Sequence, residues 1–577
     1  MLPTIQAPRR RREIVYDFAG LNLNEVAGRG EFLKLDNVEP CEFAAIRTRK
    51  TRANFRVIPD FGGMLGKERL FWIEDGGIWY DGGRYGDVTA GDKQLVSMGG
   101  YVLVFPDKLC FNTDTKIITS LENARSITGN ITVQLARYDG TPYTGYTTSA
   151  SPPSNPTNGM LWMDTNNGLF SLKEYSGATE QWVSVASTYL AVQSTNIGVG
   201  FKAGDGVNIT GLNVAGASGD AILVDVTNNR IVIKGVMTGT HTQTGGMTIK
   251  REVPDMDYYA SMNNRVWGCS TKNHEIYACK LGDPTNWRSY EGLSTDSYAA
   301  TVGSDGAFTG AAHHLSSVLF FKEGCVHKLF GDAPGNFQIS EINFRGVERG
   351  SEKSICVVNE ILYYKSPDGV MGYDGTIPRD VGARLGPYKY TNARAGRNGS
   401  DLYMCMEHGG KYTFFVLDTT KGVWRTEGDI KAKQFTDRAG NGYYVEEDTN
   451  KLVALNSAEG STIFDDPTPE DIKDISWQME THELFAQMPD FKHTARIQIT
   501  SELKGDAEGG VYLTDESGIF SRVGDIEEGA RRMTVVRVPA MRNTRTRLMI
   551  AGKGSFTLYA MSMFIESGSD STYKGGV

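Results

Sequence analysis

The sequence has few cysteines, no paired-cysteine motif and no long apolar run. Seven cysteines are scattered over 577 residues without a C-x-x-C pair, so neither a disulfide framework nor a cysteine-based zinc site is indicated and we expect free thiols. No window approaches the roughly 18 consecutive apolar residues of a membrane helix, and no apolar stretch follows the basic N-terminus. We therefore expect neither a signal peptide nor a membrane span.

The sequence also lacks an excess of positive charge. Its 60 Lys and Arg residues are outnumbered by 69 Asp and Glu residues, for a net charge of -9. Proteins that coat nucleic acids concentrate Lys and Arg on their surface. Broad nucleic-acid binding is therefore excluded, and a mildly acidic surface would let DNA slide past without gripping it.

Motifs for several common chemistries are missing. There is no G-x-S-x-G elbow, no P-loop and no G-x-G-x-x-G segment before a helix, and the histidines do not have the spacing of metal ligands. We expect no cofactor, no bound metal and no enzymatic activity. A carboxylate pair for glycoside cleavage stays open, because its separation is a property of the fold. The densest acidic group is interpreted as a solvated loop: Asp465, Asp466, Glu470, Asp471 and Asp474.

Glycine and aromatic residues are abundant instead. The chain has 67 Gly, 26 Tyr and 25 Phe, and short apolar runs alternate with Asp-Gly and Gly-Gly pairs, as in L-F-W-I-E-D-G-G-I-W-Y-D-G-G from Leu70. Such pairs favour tight hairpins. Units of two hairpin-like strand pairs recur at about 40–50 residues, the period of propeller blades, with six or seven blades fitting the length. The predicted fold class is all-β: a β-propeller with an inserted all-β domain and a C-terminal β-sandwich.

Changes in composition predict the domain boundaries. A stretch rich in Gly, Thr, Asn and Ser interrupts the hairpin pattern and is interpreted as a domain inserted into one blade. Near the end of the chain, strand candidates at about 8–15-residue spacing favour a sandwich. The predicted segments are an N-terminal arm with the first strands (1–60), the first part of the propeller (61–112), the inserted β-domain (113–251), the second part of the propeller (252–464), the C-terminal β-sandwich (475–566) and a flexible tail (567–577).

Three segments stand out by their wording: D-F-A-G-L-N-L-N-E at 17–25, the segment from Asn263 to Trp287, and A-G-K-G-S-F-T-L-Y followed by E-S-G-S-D at the end of the sandwich. Together they resemble bacteriophage tail propeller proteins, which are the tail hub, nozzle or stabilisation proteins of short-tailed phages. The resemblance covers most of the chain outside the insertion. It rests on such phrases and on the order of domains, not on catalytic motifs.

The resemblance implies a structural virion protein, assembled in the host bacterial cytoplasm and located in the virion tail. It implies a homo-oligomeric ring of six copies that continues the DNA-ejection channel below the portal and adaptor. The expected partners are the adaptor and portal complex, tail fibre proteins and transiently passing DNA. The alternative is a receptor- or glycan-binding tail adhesin that uses the inserted domain; an enzyme such as a glycan depolymerase ranks last.

Two groups of residues are candidate sites. The consecutive Arg9, Arg10, Arg11 and Arg12 repel one another, and an acidic partner would relieve that repulsion. They are interpreted as a docking arm, with a solvated N-terminus as the alternative. In the insertion, Trp162 and Trp182 are possible glycan contacts because an exposed indole can stack on a sugar ring, with structural packing as the alternative.

Overall fold

A computed structural model describes residues 10–41, 44–168, 170–457, 467–485, 491–539 and 542–567. Within these ranges the chain is almost entirely β-structure. It divides into two bodies: residues 1–92 with 321–326 and 343–577, and residues 93–320 with 327–342. The predicted fold class is confirmed, since the chain is all-β and combines propeller blades, an inserted all-β domain and a C-terminal β-sandwich.

The first body begins with six strands and one blade. The six strands are β1 (Arg10–Val15), β2 (Gly20–Leu21), β3 (Glu31–Asp36), β4 (Val38–Pro40), β5 (Ile46–Thr48) and β6 (Ala53–Val57). The blade is an antiparallel sheet of β7 (Gly63–Gly66), β8 (Leu70–Glu74), β9 (Gly77–Tyr80) and β10 (Gly83–Asp87). Its two tight turns form at predicted Asp-Gly pairs: Asp75, Gly76, Asp81 and Gly82 all have positive φ, which hairpin turns of this kind require.

The second body begins with a blade that the insertion follows. The blade contains β11 (Gln94–Met98), β12 (Tyr101–Phe105), β13 (Leu109–Asn112) and β14 (Ile118–Ser120). Residue 113 lies between β13 and β14, and the sheets of the insertion begin at Asn123. The insertion comprises β15 (Asn123–Ile127), β16 (Asn130–Ala136), β17 (Thr147–Ser149), β18 (Leu161–Asp164), β19 (Ser171–Ser176), β20 (Gln181–Ser184), β21 (Tyr189–Gln193), β22 (Gly206–Thr210), β23 (Gly219–Thr227), β24 (Arg230–Lys234), β25 (His241–Thr244) and β26 (Met247–Arg251).

The insertion forms two sheets. Eight strands pair in the order β15-β26-β22-β23-β24-β21-β16-β25, and β17–β20 form a separate four-stranded sheet. The alternation of apolar and polar residues in these strands buries Ile131, Val133 and Val192 in one shared core, as half-buried strands require. A hairpin with Asn228 and Asn229 at its turn joins β23 to β24.

Two further blades follow, with all but residues 321–322 and 326 of their strands in the second body, and the insertion packs against the first of them. They are β27 (Tyr258–Met262), β28 (Arg265–Ser270), β29 (Glu275–Ala278) and β30 (Tyr298–Thr301), then β31 (Phe308–His314), β32 (Ser317–Lys322), β33 (Val326–Phe330) and β34 (Gln338–Ile342). In the β29–β30 connection, Asn286 donates to the Gly204 carbonyl at 2.6 Å and accepts from the Gly206 amide at 3.1 Å. The backbone of Arg288 approaches Gly206 so closely that a Cβ there would lie 2.3 Å from the Arg288 carbonyl group.

The remaining blades belong to the first body. They are β35 (Cys356–Val358), β36 (Ile361–Ser366), β37 (Gly369–Tyr373) and β38 (Arg379–Asp380); β39 (Thr391–Asn398), β40 (Asp401–His408), β41 (Lys411–Asp418) and β42 (Val423–Thr426); and β43 (Ala432–Arg438), β44 (Asn441–Glu446) and β45 (Lys451–Ala454). The last of these sheets is completed from the other end of the chain, because β45 pairs with β6. The short β46 (Thr468–Pro469) also pairs with β6.

The sandwich is built around two long strands. It comprises β47 (Ser476–Thr481), β48 (Lys492–Thr514), β49 (Phe520–Asp525), β50 (Gly529–Arg537) and β51 (Leu548–Ser567). The register of β48 on β51 shifts between Lys504 and Glu508. One half of each of these two strands therefore belongs to one layer of the sandwich, and the other half belongs to the other layer. Trp477 and Phe556 stack at 4.1 Å in the core.

The sandwich is continuous with a blade. The order β39-β40-β41-β42-β3-β47-β51-β48-β49 runs through one 14-stranded sheet, and β3 is the strand that links the outer strand of the blade to β47. The parallel bridge between Asp36 and Thr426 makes this link. The hydroxyl of Thr426 also donates to the Asp36 carboxylate at 2.8 Å. Blade and sandwich are thus joined by hydrogen-bonded backbone as well as by the connecting chain.

Candidate functional site

A polar cavity of about 490 Å³ lies where this blade meets the N-terminal strands. Two hairpin turns form part of its wall, one between β39 and β40 and one between β43 and β44. Its wall is mainly polar and includes Glu39, Arg47, Arg49, Lys50, Asn398, Ser400, Asp401, Tyr403, Asp418, Arg425, Glu427 and Asn441. The cavity therefore suits polar groups better than an apolar ligand.

Charged side chains beneath the cavity form a buried ion network. Arg425, on β42, is fully buried; its Nη2 atom lies 2.7 Å from Asp401 Oδ2, and its Nε donates to Glu427 at 3.3 Å. On the other side of Glu427, Arg52 Nη2 donates at 2.6 Å. Arg425 and Glu427 are both buried, as expected for residues two apart along an extended segment, which lie on the same face.

The network extends to the chain segment that leads into the sandwich. Arg49 makes two hydrogen bonds to the Glu470 carboxylate, at 2.8 and 2.9 Å. Its Nε donates to Asn37 at 2.8 Å. The network thus contains three arginines and three carboxylates: Arg49, Arg52, Arg425, Asp401, Glu427 and Glu470. It is charge-balanced, and it ties the N-terminal strands, one blade and the sandwich linker to each other.

Burial and the arginines shift the carboxylate pKa values in different directions. Burial alone would raise the pKa of Glu427, but Arg52, Arg425 and Arg49 outweigh it and hold that pKa below its usual value. Burial also opposes ionisation of Glu470, and the hydrogen bonds from Arg49 bring its pKa below normal. For Asp401, burial prevails over Arg425 and raises the pKa. Glu427 and Glu470 are therefore held as carboxylates, whereas Asp401 takes up a proton more readily than an exposed aspartate.

Two donors of the network have no acceptor among the described residues. They are Nη1 of Arg425 and Nε of Arg52, both buried. Arg52 is additionally held by aromatic rings, with its guanidinium 5.2 Å from the centroid of Phe414. Breaking a buried ion pair costs far more than its formation contributes, so such a network fixes the relative position of its elements more than it adds stability. Its most direct role is to lock the junction.

The sequence prediction did not identify this network. The signal was present in the alternation R-T-R-K-T-R at 47–52 and in V-W-R-T-E-G at 423–428, where charges interrupt buried strands. Recognising it requires the pairing of β3 with β42, which connects segments almost four hundred residues apart.

The predicted arginine run is incorporated into the sandwich. Arg9 lies outside the described residues. Arg10, Arg11 and Arg12 belong to β1, which pairs antiparallel with the end of β51. Arg10 also makes an ion pair with Glu566 at 2.8 Å. The three described arginines are thus part of a sheet, and their docking role stays a prediction.

Neighbouring strands add further arginines beside β1. In register, Arg12 lies opposite Phe564, Phe564 opposite Arg496, and Arg496 opposite Arg537, across β1, β51, β48 and β50. The guanidinium of Arg12 lies 4.9 Å from the ring centroid of Phe564, and that of Arg496 lies 4.0 Å from it. Next to this row on β50, Val535 and Met533 are exposed. We call these six residues the arginine face; the sequence prediction had identified only Arg12 among them.

The structure brings the two candidate tryptophans together. Trp162, on β18, is only 4% exposed, and its Nε1 donates to the Ser149 carbonyl at 3.0 Å. Trp182, on β20, is half-buried and contacts Trp162 edge-to-face at 5.4 Å and Tyr175 at 5.3 Å. Trp162 is therefore mainly a packing residue, whereas Trp182 presents part of its ring to solvent. Glycan contact by either stays a prediction.

Within the described ranges, no group of three or more His, Cys, Asp or Glu side chains is arranged to hold a metal ion. The same residues include no helix of the length and hydrophobicity needed to cross a membrane. All seven cysteines are free, as expected.

No family model matches this chain, and a search of curated proteins also finds no match. Solved structures do show similarity. They include an exo-beta-1,3-galactanase from Phanerochaete chrysosporium with galactose, at 11% identity over 52% of this chain and 92% of that chain, TM-score 0.21. An engineered GH43 glycoside hydrolase is similar at 10% identity over 54% and 97% of the two chains, TM-score 0.19. A phage phi92 endosialidase is similar at 11% identity over 76% and 64%, TM-score 0.18.

These comparisons correct one expectation. The chain was expected not to be an enzyme, yet the three structures named above are of glycoside hydrolases and an endosialidase. That expectation is withdrawn. The similarity goes no further than a β-propeller-like fold: it assigns no activity or substrate to this chain, and it does not single out tail hub or nozzle proteins.

Proposed function

We propose that this chain is a structural protein of a bacteriophage tail, forming a ring-shaped nozzle or hub that continues the DNA-ejection channel below the portal and adaptor. The ring contains six copies, as the sequence resemblance implies, and it offers attachment points for tail fibres. In this proposal the protein is assembled in the host cytoplasm and resides in the virion tail.

The observation that carries the proposal is the continuous sheet from the β39–β42 blade through β3 into the sandwich. Domains joined only by a linker move relative to one another by default. Here the backbone hydrogen bonds of β3 and the buried ion network oppose such motion at the same junction. A ring that conducts DNA under pressure needs this rigidity, since a hinge between its domains would open the channel wall.

The charge of the chain supports the same proposal. A conduit must not retain the phosphates that pass through it, and retention by Lys and Arg strengthens with each phosphate neutralised. A net charge of -9 is compatible with a lumen that releases DNA.

Electron microscopy of the purified full-length protein, together with native mass spectrometry, tests the proposal. We expect closed rings with an axial channel, and antibody labelling should locate the chain at the tail of phage particles. Persistent monomers at every concentration, with no label on particles, would contradict the proposal.

A second candidate is a glycan-binding tail adhesin that uses the inserted domain. It is favoured by the partly exposed ring of Trp182, which lies opposite Tyr175 on the neighbouring strand and contacts its ring. An aromatic surface of this kind can stack on sugar rings.

Pull-down with host envelope polysaccharide tests the adhesin. Binding should be lost in Trp182→Ala and retained in the matched control Tyr138→Ala, which removes an exposed aromatic ring of the insertion outside this cluster. Measuring released reducing ends in the same samples reports cleavage. If Trp182→Ala binds as well as the wild type, this candidate fails.

A further inference from the structure

The arginine face contains like charges placed directly opposite each other. Arg496 and Arg537 are a cross-strand pair on β48 and β50, and side chains opposite each other in neighbouring strands lie close enough for like charges to be destabilising. Arg12 lies two strands away from Arg496 on the same row, across Phe564. A sheet that folds with this row uncompensated carries an electrostatic cost that a bound anion would relieve.

No carboxylate pairs with this row among the described residues, although the guanidiniums of Arg12 and Arg496 contact the Phe564 ring. Arg12, Arg496 and Arg537 make no ion pair there, whereas the neighbouring Arg10 pairs with Glu566. Arg12 donates only a long hydrogen bond, 3.5 Å, to the Ser562 hydroxyl. Three guanidinium groups are thus available to an external carboxylate or phosphate.

Apolar residues continue the same face. Val535 lies opposite Gln498, and Met533 lies opposite Thr500. Val535 is 42% exposed and Met533 is 56% exposed. An arginine cluster next to exposed aliphatic and thioether side chains has the composition of a protein interface, in which Arg and Met are enriched.

We infer that the arginine face is the surface on which each subunit receives a carboxylate-bearing surface of the next copy of this chain. This inference rests on the ring proposed above. Charge complementarity supports a second copy as the occupant, because the chain has more Asp and Glu than Lys and Arg. In the proposed ring this face meets a different, carboxylate-bearing surface of the neighbouring copy, which is the head-to-tail kind of contact that closes a ring by rotation.

Nucleic acid fits the face less well. Surfaces that bind single strands offer aromatic rings on which bases stack, but the guanidiniums of Arg12 and Arg496 both lie within 5 Å of the Phe564 ring centroid. The ring is therefore occupied by cations. The acidic balance of the whole chain also opposes accumulation of DNA at this surface.

The test compares full-length wild type with the double variant Arg496→Gln/Arg537→Gln in sedimentation velocity, at about 50 mM and about 500 mM NaCl, conditions that change screening strongly. We expect the double variant to weaken self-association at low salt by about tenfold or more, as loss of desolvated interfacial charges does. High salt should weaken the wild type as well. Since the substitutions remove a like-charge pair, the variant should fold, which circular dichroism and thermal unfolding verify.

The matched control is Arg532→Gln. This arginine is also exposed and lies on the same strand, β50. It is an odd number of residues away from Arg537, so its side chain lies on the other face of the sheet. It should associate like the wild type.

The outcomes separate this inference from the ring itself. Wild-type rings that persist unchanged in the double variant overturn the inference and leave the ring standing. A wild type that stays monomeric and forms no ring overturns both. Binding of a DNA duplex that the double variant loses, with self-association unchanged, overturns the inference in favour of a phosphate partner.

Discussion

Replacing Glu427 by glutamine removes the carboxylate that Arg52 and Arg425 share. The Glu427 side chain is 3% exposed and accepts from Arg52 Nη2 at 2.6 Å and from Arg425 Nε at 3.3 Å. Glutamine is nearly isosteric, so the variant leaves no cavity. It leaves two buried guanidiniums with less negative charge around them.

The expected loss in free energy of unfolding is about 3–5 kcal/mol, the usual cost of breaking a buried ion pair by removing one partner. This is a large share of the roughly 5–15 kcal/mol that stabilises a typical domain. Equilibrium urea unfolding followed by tryptophan fluorescence measures it, with Trp424 and Trp477 as buried reporters in the same body.

The matched control is Glu447→Gln. Glu447 also pairs with two cations, Arg394 and Lys431, but is 29% exposed, so its loss should cost about 1 kcal/mol or less. A Glu427→Gln variant no less stable than this control would refute the reasoning and show that the network is solvated.

The same substitution should change the acid sensitivity of the fold. Because the native pKa of Glu427 lies below its usual value of 4.5, its stabilising contribution is complete above pH 4.5 and is lost as the pH falls through the native pKa. The stability difference between wild type and Glu427→Gln should therefore shrink below pH 4.5. Asp401 acts in the opposite direction, since its raised pKa favours the folded state when it is protonated. A difference that stays constant from pH 7 to pH 3 would contradict this assignment.

Other substitutions probe the second body. Gly206→Ala should lower the free energy of unfolding by about 1–3 kcal/mol through steric overlap, because the new methyl group would meet the Arg288 backbone. Limited proteolysis of the insertion measures this effect. The control Gly303→Ala, where a Cβ meets nothing within 4 Å, should not change the cleavage rate. Trp162→Ala should destabilise the β17–β20 sheet by about 3–5 kcal/mol, seen as faster amide exchange in those strands. Trp182→Ala should have a smaller effect because its ring is half-buried, and equal effects would show that both rings are core residues.

Local signals in the sequence predicted the blades well. The Asp-Gly turns at Asp75 and Asp81 have the positive φ that their residues favour, and the tryptophans of blade strands, such as Trp72 and Trp267, are buried. The turn conformations and the burial of these tryptophans depend on neighbours within a few residues, so both can be predicted from one sequence.

The partners of strands distant in sequence were not predictable in this way. Nothing in the sequence around Glu31–Asp36 indicates that β3 lies between β42 and β47, because any strand with one apolar face satisfies the same pattern. The buried ion network and the arginine face both depend on such pairings. Nor could the sequence reveal that β51 lies beside Arg10, Arg11 and Arg12.

The pairing of β1 with β51 and of β6 with β45 also determines how long the early strands wait for their partners during synthesis. At roughly 5–20 residues per second, β1 leaves the ribosome on the order of half a minute to two minutes before its neighbour exists. During that interval the early strands present open edges, which invite pairing with other nascent chains. A chaperone that shields these early strands until their partners are made should therefore raise the yield of correctly folded protein.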